Sequence, residues 1–352
     1  MDAGNMYLES TLPQSRYVRF KMREIPKSIQ DQYNLQALVS NGYVYARIDK
    51  AWYGLKEAGR IAGDDIRAHL AKYGYHESKH TPGFFTHDVS RPINFTLVVD
   101  DLGVKYKNLK DFEHLRDCLN LKYNMKVDMD AKQYVGIDLE WNYNDRTLLC
   151  SMTEYVKTAL EEFEHALPKQ IFHAPSKAER PDYGAKVQYV VDDTTAPLPP
   201  AAIKRIQKVI GKFLFLARAI DNTILHAIND IACNVTKGTE ATLQAASYLL
   251  NYIACNPDPR ILYRASDMIL QVDSDAAFQV CPQARSRAGG YHYLGSKDNT
   301  QFNAPVHVLA RVIKPVMGSA AEAEVAAIHM LSLIHISEPT RQEAISYAVF
   351  CL

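Results

Sequence analysis

The sequence predicts an α+β fold built from more than one compact unit, and three observations predict it. Short β-type runs surround one long helical stretch over residues 1–145. Residues 146–262 turn largely helical. Three further β-type runs and a helix former then fill residues 263–330. At 352 residues, 47% of them apolar, the chain is long enough to bury two or three cores.

In the first stretch, YVRFKM, GYVYARI and INFTLVV are rich in β-branched and aromatic residues and read as strands, whereas GRIAGDDIRAHLAKYGY repeats its apolar residues at helical spacing. The middle stretch opens on SMTEYVKTALEEFEHAL, breaks at the proline-rich TTAPLPPAA, and resumes as IKRIQKVIGKFLFLARAI and ATLQAASYLLNYIAC. After the NPDP turn signal come SDMILQVDSD, AGGYHYLG and HVLARVIK, then the helix former SAAEAEVAAIHML. Residues 331–352, LSLIHISEPTRQEAISYAVFCL, follow neither the helical nor the strand period.

Forty Lys plus Arg balance forty Asp plus Glu, which excludes a polybasic tail or a globally cationic coat, so any polyanion must meet a local patch. No run of about 18 apolar residues appears, and the start MDAGNMYLES lacks the build of a signal peptide, so an intracellular chain without a membrane span is expected. Six cysteines stand far apart with no CxxC pair, which predicts ordinary, mostly buried thiols rather than a disulfide framework or a zinc site.

FTLVVDDLGVKY places Asp100 and Asp101 after a β-branched run and before a glycine that leads into another, predicting a hairpin with acid at its tip. Standing alone, Asp-Asp-x-Gly also suits a turn that binds nothing. In the last stretch Asp275 ends the run VDSD and Glu322 lies one turn into a helix. Ser319 with Glu322 equally fits a capping box, in which the glutamate serves the helix start.

Taken together, MDAGNMYL, KAWYGLKEAGR, the DD hairpin and KQYVGIDLEW resemble the reverse transcriptase domain of copia-type long-terminal-repeat retrotransposons, in matching order and approximate spacing. The likeness continues through IGKFLFLARAI, similar to the family's helical connection, and through DSDAAF and SRAGGYHYLGS, similar to its RNase H domain. It implies a polymerase palm over 1–145, an antiparallel sheet with helices; a helical thumb and connection over 146–262; and the first half of an RNase H-like domain over 263–330. Residues 331–352, including Gln342, resemble a translated sequencing adaptor and are expected to be foreign to the fold, the alternative being a genuine C-terminal amphipathic tail.

The resemblance also implies roles. Asp2 would be the first palm carboxylate, and Asp100 with Asp101 the hairpin pair. These acids would hold Mg²⁺ or Mn²⁺, because phosphoryl transfer to a primer hydroxyl is served by two hard cations that touch the entering and leaving oxygens. Tyr7 stands where the family has its sugar-gate aromatic. Tyr53, Gly54 and Leu55 match the YGL segment beside template and incoming base, and Tyr134, Val135 and Gly136 the primer-gripping strand. Tyr7 could equally be a core aromatic, and Tyr134–Gly136 a plain half-buried strand. Two positions depart from the pattern. Glu57 replaces a glutamine that can donate, a loss that Lys56 or Arg60 would relieve, and Val98 replaces a tyrosine. Asp275 and Glu322 would be the first two acids of a two-metal hydrolase for RNA–DNA hybrids, with Arg285 and Arg287 as phosphate contacts or a solvated turn.

The implied partners are an RNA template, a DNA primer, deoxynucleoside triphosphates and the rest of a Pol polyprotein, with no membrane and a particle-associated, cytoplasmic setting. The fingers strands before Asp2 and the later RNase H acids are expected to be missing. The chain alone is thus expected to hold nucleotide weakly and to lack RNase H activity; hybrid cleavage that disappears in Asp275→Asn would overturn the latter.

Overall fold

The alternation of INFTLV and the helical spacing of AGRIAGDDIRAHLA organise the first of two units, Met1–Met129. The computed structural model describes residues 1–88, 91–177, 193–298 and 302–332. In chain order the first unit holds β1 (Asp2–Gly4), β2 (Thr11–Lys21), α1 (Lys27–Gln32), β3 (Tyr43–Lys50), α2 (Ala58–Ala71), β4 (Tyr75–Glu77), β5 (Phe84–His87), β6 (Ile93–Val98), β7 (Asp101–Tyr106), α3 (Leu109–Asn120) and β8 (Asn124–Lys126). A six-stranded sheet runs β4-β5-β6-β7-β1-β8, and β2 pairs with β3 in a separate ribbon.

The core of this unit lies where helices cover the sheet. In α2, Ala58, Ala62, Ile66 and Leu70 are buried at four-residue spacing, and in α3 Phe112, Leu115 and Leu119 are buried at spacings of three and four. Ala62, Ile66, Leu70, Leu115 and Leu119 share one core with Phe85 and Phe95, opposite each other on β5 and β6 with rings stacked at 4.9 Å, and with Tyr75, Ile93 and Leu102. Burying each such side chain contributes about 1.5–3 kcal/mol.

The second unit begins at Asp130. It holds β9 (Gln133–Tyr134), β10 (Ile137–Asn142), β11 (Thr147–Ser151), α4 (Thr153–Glu162), α5 (Pro200–Ala219), α6 (Leu225–Asn234), α7 (Glu240–Cys255), β12 (Arg260–Arg264), β13 (Ile269–Cys281), β14 (Arg285–Gly295), β15 (Pro305–Val312) and α8 (Ala320–Ser332). The middle stretch is therefore helical but bracketed by two strands, and β12-β11-β10-β9 form a sheet that spans the sequence-based division at residue 145. The helix start at Pro200 obeys the rule that proline is tolerated in a first turn. The strands β13-β14-β15 form an antiparallel sheet covered by α8 through Ala288, Leu309, Ala323, Ala327 and Leu331. Leu331 packs so closely over Gly290 that a Cβ there would stand 2.2 Å from it. Leu331 and Ser332, expected to be foreign to the fold, instead complete α8, and residues 333–352, with Gln342, lie outside the described residues. No described helix is long and apolar enough to cross a membrane. Of the cysteines, Cys118, Cys150 and Cys281 are buried, Cys255 is intermediate and Cys233 exposed.

A pH dependence follows from the third sheet. His307 faces His292 across β15 and β14, with ring centroids 5.3 Å apart. Burial first, then His292, Arg218 and Arg311, push its pKa down to about 4. A histidine that is harder to protonate folded than unfolded contributes stability above the unfolded value near 6.5, and that stability is lost as pH falls toward 4. Between pH 7 and 4.5 the loss from this group should be about 2 kcal/mol. Chemical denaturation at both pH values should show that component in the wild type and not in His307→Gln.

Candidate active site

Three short segments of the first unit supply the site. β1 is only three residues long, so its neighbours hold it in place: Asp2 pairs with Asp101 of β7 on one side and with Lys126 of β8 on the other. The Ala3 N–H donates to the Asp100 carbonyl at 2.8 Å, and the Leu102 N–H to the Met1 carbonyl at 2.7 Å. Successive strand residues face opposite sides. Ala3 and Leu102, at 0% and 1% exposure, point into the core, so Asp2 and Asp101 point together to the other face. Side chains directly opposite in such a pair stand with Cβ atoms about 4.5–5.5 Å apart.

The hairpin between β6 and β7 is closed by two residues, Val99 and Asp100, with Val98 paired to Asp101. Tight hairpins of this length need positive φ, normally supplied by glycine or asparagine. Here Val99 takes φ 58°, and a β-branched residue held there costs about 1–2 kcal/mol. Val99 was not singled out in the sequence, although a two-residue turn without glycine is the signal that would have found it.

Two aromatics border the acids. Tyr7 lies against the core and presents its hydroxyl to Gly59 of α2, where a Cβ would come within 3.5 Å. Its ring meets Tyr53 edge to face at 4.5 Å. Burial, then Asp100, Tyr7 and Asp2, hold the Tyr53 phenol above its ordinary pKa, so Tyr53 feels acids from both the hairpin and β1. Gly54 takes φ 94° with open space where a Cβ would stand, and Leu55 packs against Leu12, Ala51 and Ala58. Asp2, Tyr7, Tyr53, Asp100 and Asp101 thus share one neighbourhood.

Glu57 has a partner that sequence spacing could not reveal: Arg16 of β2 donates to it at 2.8 and 2.9 Å. Hydrogen bonding to its own backbone N–H, then to Arg16, holds the carboxyl below the usual range, with Arg60 a smaller influence. Arg16, rather than Lys56 or Arg60, is thus the cation in direct contact with Glu57.

The second unit changes several expectations. Tyr134, Val135 and Gly136 do not form a plain strand. Tyr134 pairs with Ile137 across a two-residue turn in which Val135 and Gly136 take φ 50° and 75°, and Tyr134 is buried. Asp275 does not end a strand; it lies mid-way along β13, opposite Gly289 and exposed. Glu322 is engaged at the start of α8, accepting from the Gly318 N–H at 2.6 Å while its own N–H donates to Ser319 Oγ at 3.1 Å. These are capping contacts. Arg287 is buried and donates to Asp230 of α6 at 2.6 Å, so it is a structural ion pair and not a phosphate contact at the surface. Arg285 is half-buried at the start of β14.

Among the described residues no three His, Cys, Asp or Glu side chains close into a ready metal cage. Asp2 and Asp101 are paired across the strands and Asp100 lies in the turn beside them; one or two carboxylates are what Mg²⁺ usually takes from a protein, substrate phosphates and waters supplying the other oxygens.

In the first unit an antiparallel sheet thus sets an acid of its first strand opposite an acidic hairpin. Residues 26–171 match the reverse transcriptase (RNA-dependent DNA polymerase) family, a span that includes Tyr53–Leu55 and Asp100–Asp101. The Gag-Pol polyprotein of transposon Ty1-BL from Saccharomyces cerevisiae is 22% identical over 314 residues, covering 78% of this chain and 17% of that protein. Retrovirus-related Pol polyproteins from transposons RE2 and RE1 of Arabidopsis thaliana are 24% and 25% identical, each over 92% of this chain and 20% of their own length. Over most of its length the chain is similar to these retrotransposon Pol polyproteins, and it spans a fifth or less of their length.

Proposed function

We propose that this chain is the polymerase segment of an RNA-directed DNA polymerase, with Asp2, Asp100 and Asp101 as its metal-binding acids. The observation that carries the reading is the register of Asp2 against Asp101, which gathers acids from the chain's first strand and the hairpin onto one face. Divalent cations, Mg²⁺ or Mn²⁺, would supply stabilisation of charge on the transferring phosphoryl group. The residues do the rest: Asp2 and Asp101 hold the site's negative charge, Asp100 extends it from the turn, and the Tyr7–Tyr53 pair forms an apolar wall beside it. Template RNA, primer DNA and deoxynucleoside triphosphates are the substrates, and the setting is cytoplasmic and particle-associated, within the parent Pol polyprotein.

Primer extension on a primed RNA template tests this directly. A Pol protein carrying this segment should extend the primer with deoxynucleotides when Mg²⁺ is present; a folded protein with all three acids that never extends would overturn the reading. Tyr7→Ala should raise ribonucleotide use relative to deoxynucleotide by about tenfold or more, because removing one steric contact of about 1.4 kcal/mol is tenfold in rate. An unchanged sugar preference would return Tyr7 to the core alone.

A binding-only role is favoured by one observation: Glu57, at the position where relatives commonly carry an amide, is already engaged by Arg16. Tight primer–template binding without extension would select it.

For the third sheet we read the strand meander and α8 as the opening of an RNase H-like domain, with Asp275 and Glu322 as its first acids. Glu322→Gln separates metal binding from capping, since glutamine also serves a capping box. If Glu322 binds metal, hybrid cleavage by a Pol protein carrying the segment falls while the melting temperature holds.

A further inference from the structure

The β2–β3 ribbon has two unlike faces. Arg16, Val18 and Phe20 pair with Ile48, Ala46 and Val44, and this side is largely apolar: Val44 is buried, Ile48 packs near Ala51 and Leu55, and Phe20 lies 6.2 Å from Trp52. The other face pairs Tyr17 with Arg47, Arg19 with Tyr45, and Lys21 with Tyr43. Each pair sets one aromatic beside one cation, and the order inverts from the first pair to the second. Tyr17 is 75% and Tyr45 58% exposed, far more than a tyrosine needs merely to wet its hydroxyl.

The charge is as uneven as the polarity. In a chain of zero formal charge, residues 11–50 carry seven Lys and Arg against three Asp and Glu; three of those cations, Arg19, Lys21 and Arg47, stand on this face. Arg19 lies over the Tyr43 ring at 4.9 Å. Arg47 and Lys21 contact Asp49 and Glu24 at 3.0 and 3.2 Å, but these are exposed pairs of little strength that a phosphate could displace.

We infer that this Tyr/Arg face binds a single strand of nucleic acid, separately from the carboxylate site. Bases stack on exposed aromatic rings without regard to sequence, and cations between the rings meet the phosphates. Three cross-strand pairs, two residues apart, extend about 14 Å along the ribbon, room for a few nucleotides. A duplex keeps its bases paired and stacked inside, so the rings select unpaired strand. A protein partner would leave the charge excess unused.

The test uses the full chain and a fluorescein-labelled oligouridylate of about 15 nucleotides, read by anisotropy. Tyr17→Ala with Tyr45→Ala should weaken binding at least about tenfold, and Tyr17→Phe with Tyr45→Phe should restore it to within about twofold, because phenylalanine keeps the stacking face. Arg19→Gln with Lys21→Gln should reduce the slope of log affinity against log salt by about 1.4. Melting temperatures should hold, since the core-facing side is untouched. Wild-type affinity in the alanine pair would overturn the inference, as would loss of self-association without loss of RNA binding. Asp100→Asn with Asp101→Asn should not lower this binding, so failure of the polymerase reading and failure of this surface are seen separately.

Discussion

Replacing Asp100 and Asp101 together with asparagine should abolish primer extension while making the fold slightly more stable. Asparagine keeps the shape and turn chemistry of aspartate and removes only the charge. If that charge holds the cations, its loss costs several kcal/mol of transition-state stabilisation, and about 4 kcal/mol is roughly a thousandfold in rate. The fold answers in the opposite direction. Asp2 and Asp101 are directly opposite on adjacent strands, and like charges so placed cost about 0.2–1 kcal/mol. Activity and denaturation measured on the same protein distinguish this from damage: misfolding lowers both, whereas removal of a working acid lowers one and raises the other.

The second large effect is on stability. Phe95→Ala should destabilise the first unit by about 3–5 kcal/mol, the cost of truncating a buried aromatic that its neighbours cannot replace. Phe95 is 1% exposed, stacks on Phe85 and meets Tyr75 edge to face. Its strand, β6, is hydrogen-bonded to β7, which carries Asp101. A loss of that size is a large part of a domain's total of about 5–15 kcal/mol, so template-directed synthesis should fail with the fold. Phe95→Leu should cost distinctly less. Equilibrium denaturation of the three proteins checks the order.

Much of the architecture is written in local pattern. INFTLVV, GYVYARI and GRIAGDDIRAHLAKYGY become β6, β3 and α2, and the last stretch becomes three strands and a helix. What escaped is short or mixed. β4, β5 and β8 have three or four residues, too few to show a period, and α3 reads as charged because only Phe112, Leu115, Cys118 and Leu119 make its buried stripe. The acidic hairpin was legible as a turn. Its meeting with Asp2 was not, because β1 has no propensity of its own and is held by two neighbouring strands; only the family resemblance pointed to it. Arg16 with Glu57, and Arg287 with Asp230, join residues distant in sequence, which no local spacing reveals. Two expectations gave way to tertiary context. Arg287 is a buried ion pair because α6 brings Asp230 to it, and the segment at Tyr134 turns because Val135 and Gly136 both take positive φ.

Manganese titration followed by electron paramagnetic resonance tests most directly whether the first strand and the hairpin form one cation site. Mn²⁺ should bind the wild type, and Asp2→Asn should weaken that binding about as much as Asp101→Asn, with the double variant little worse than either alone. Binding that survives Asp2→Asn unchanged, or two independent losses that add, would show that these acids do not share a cation.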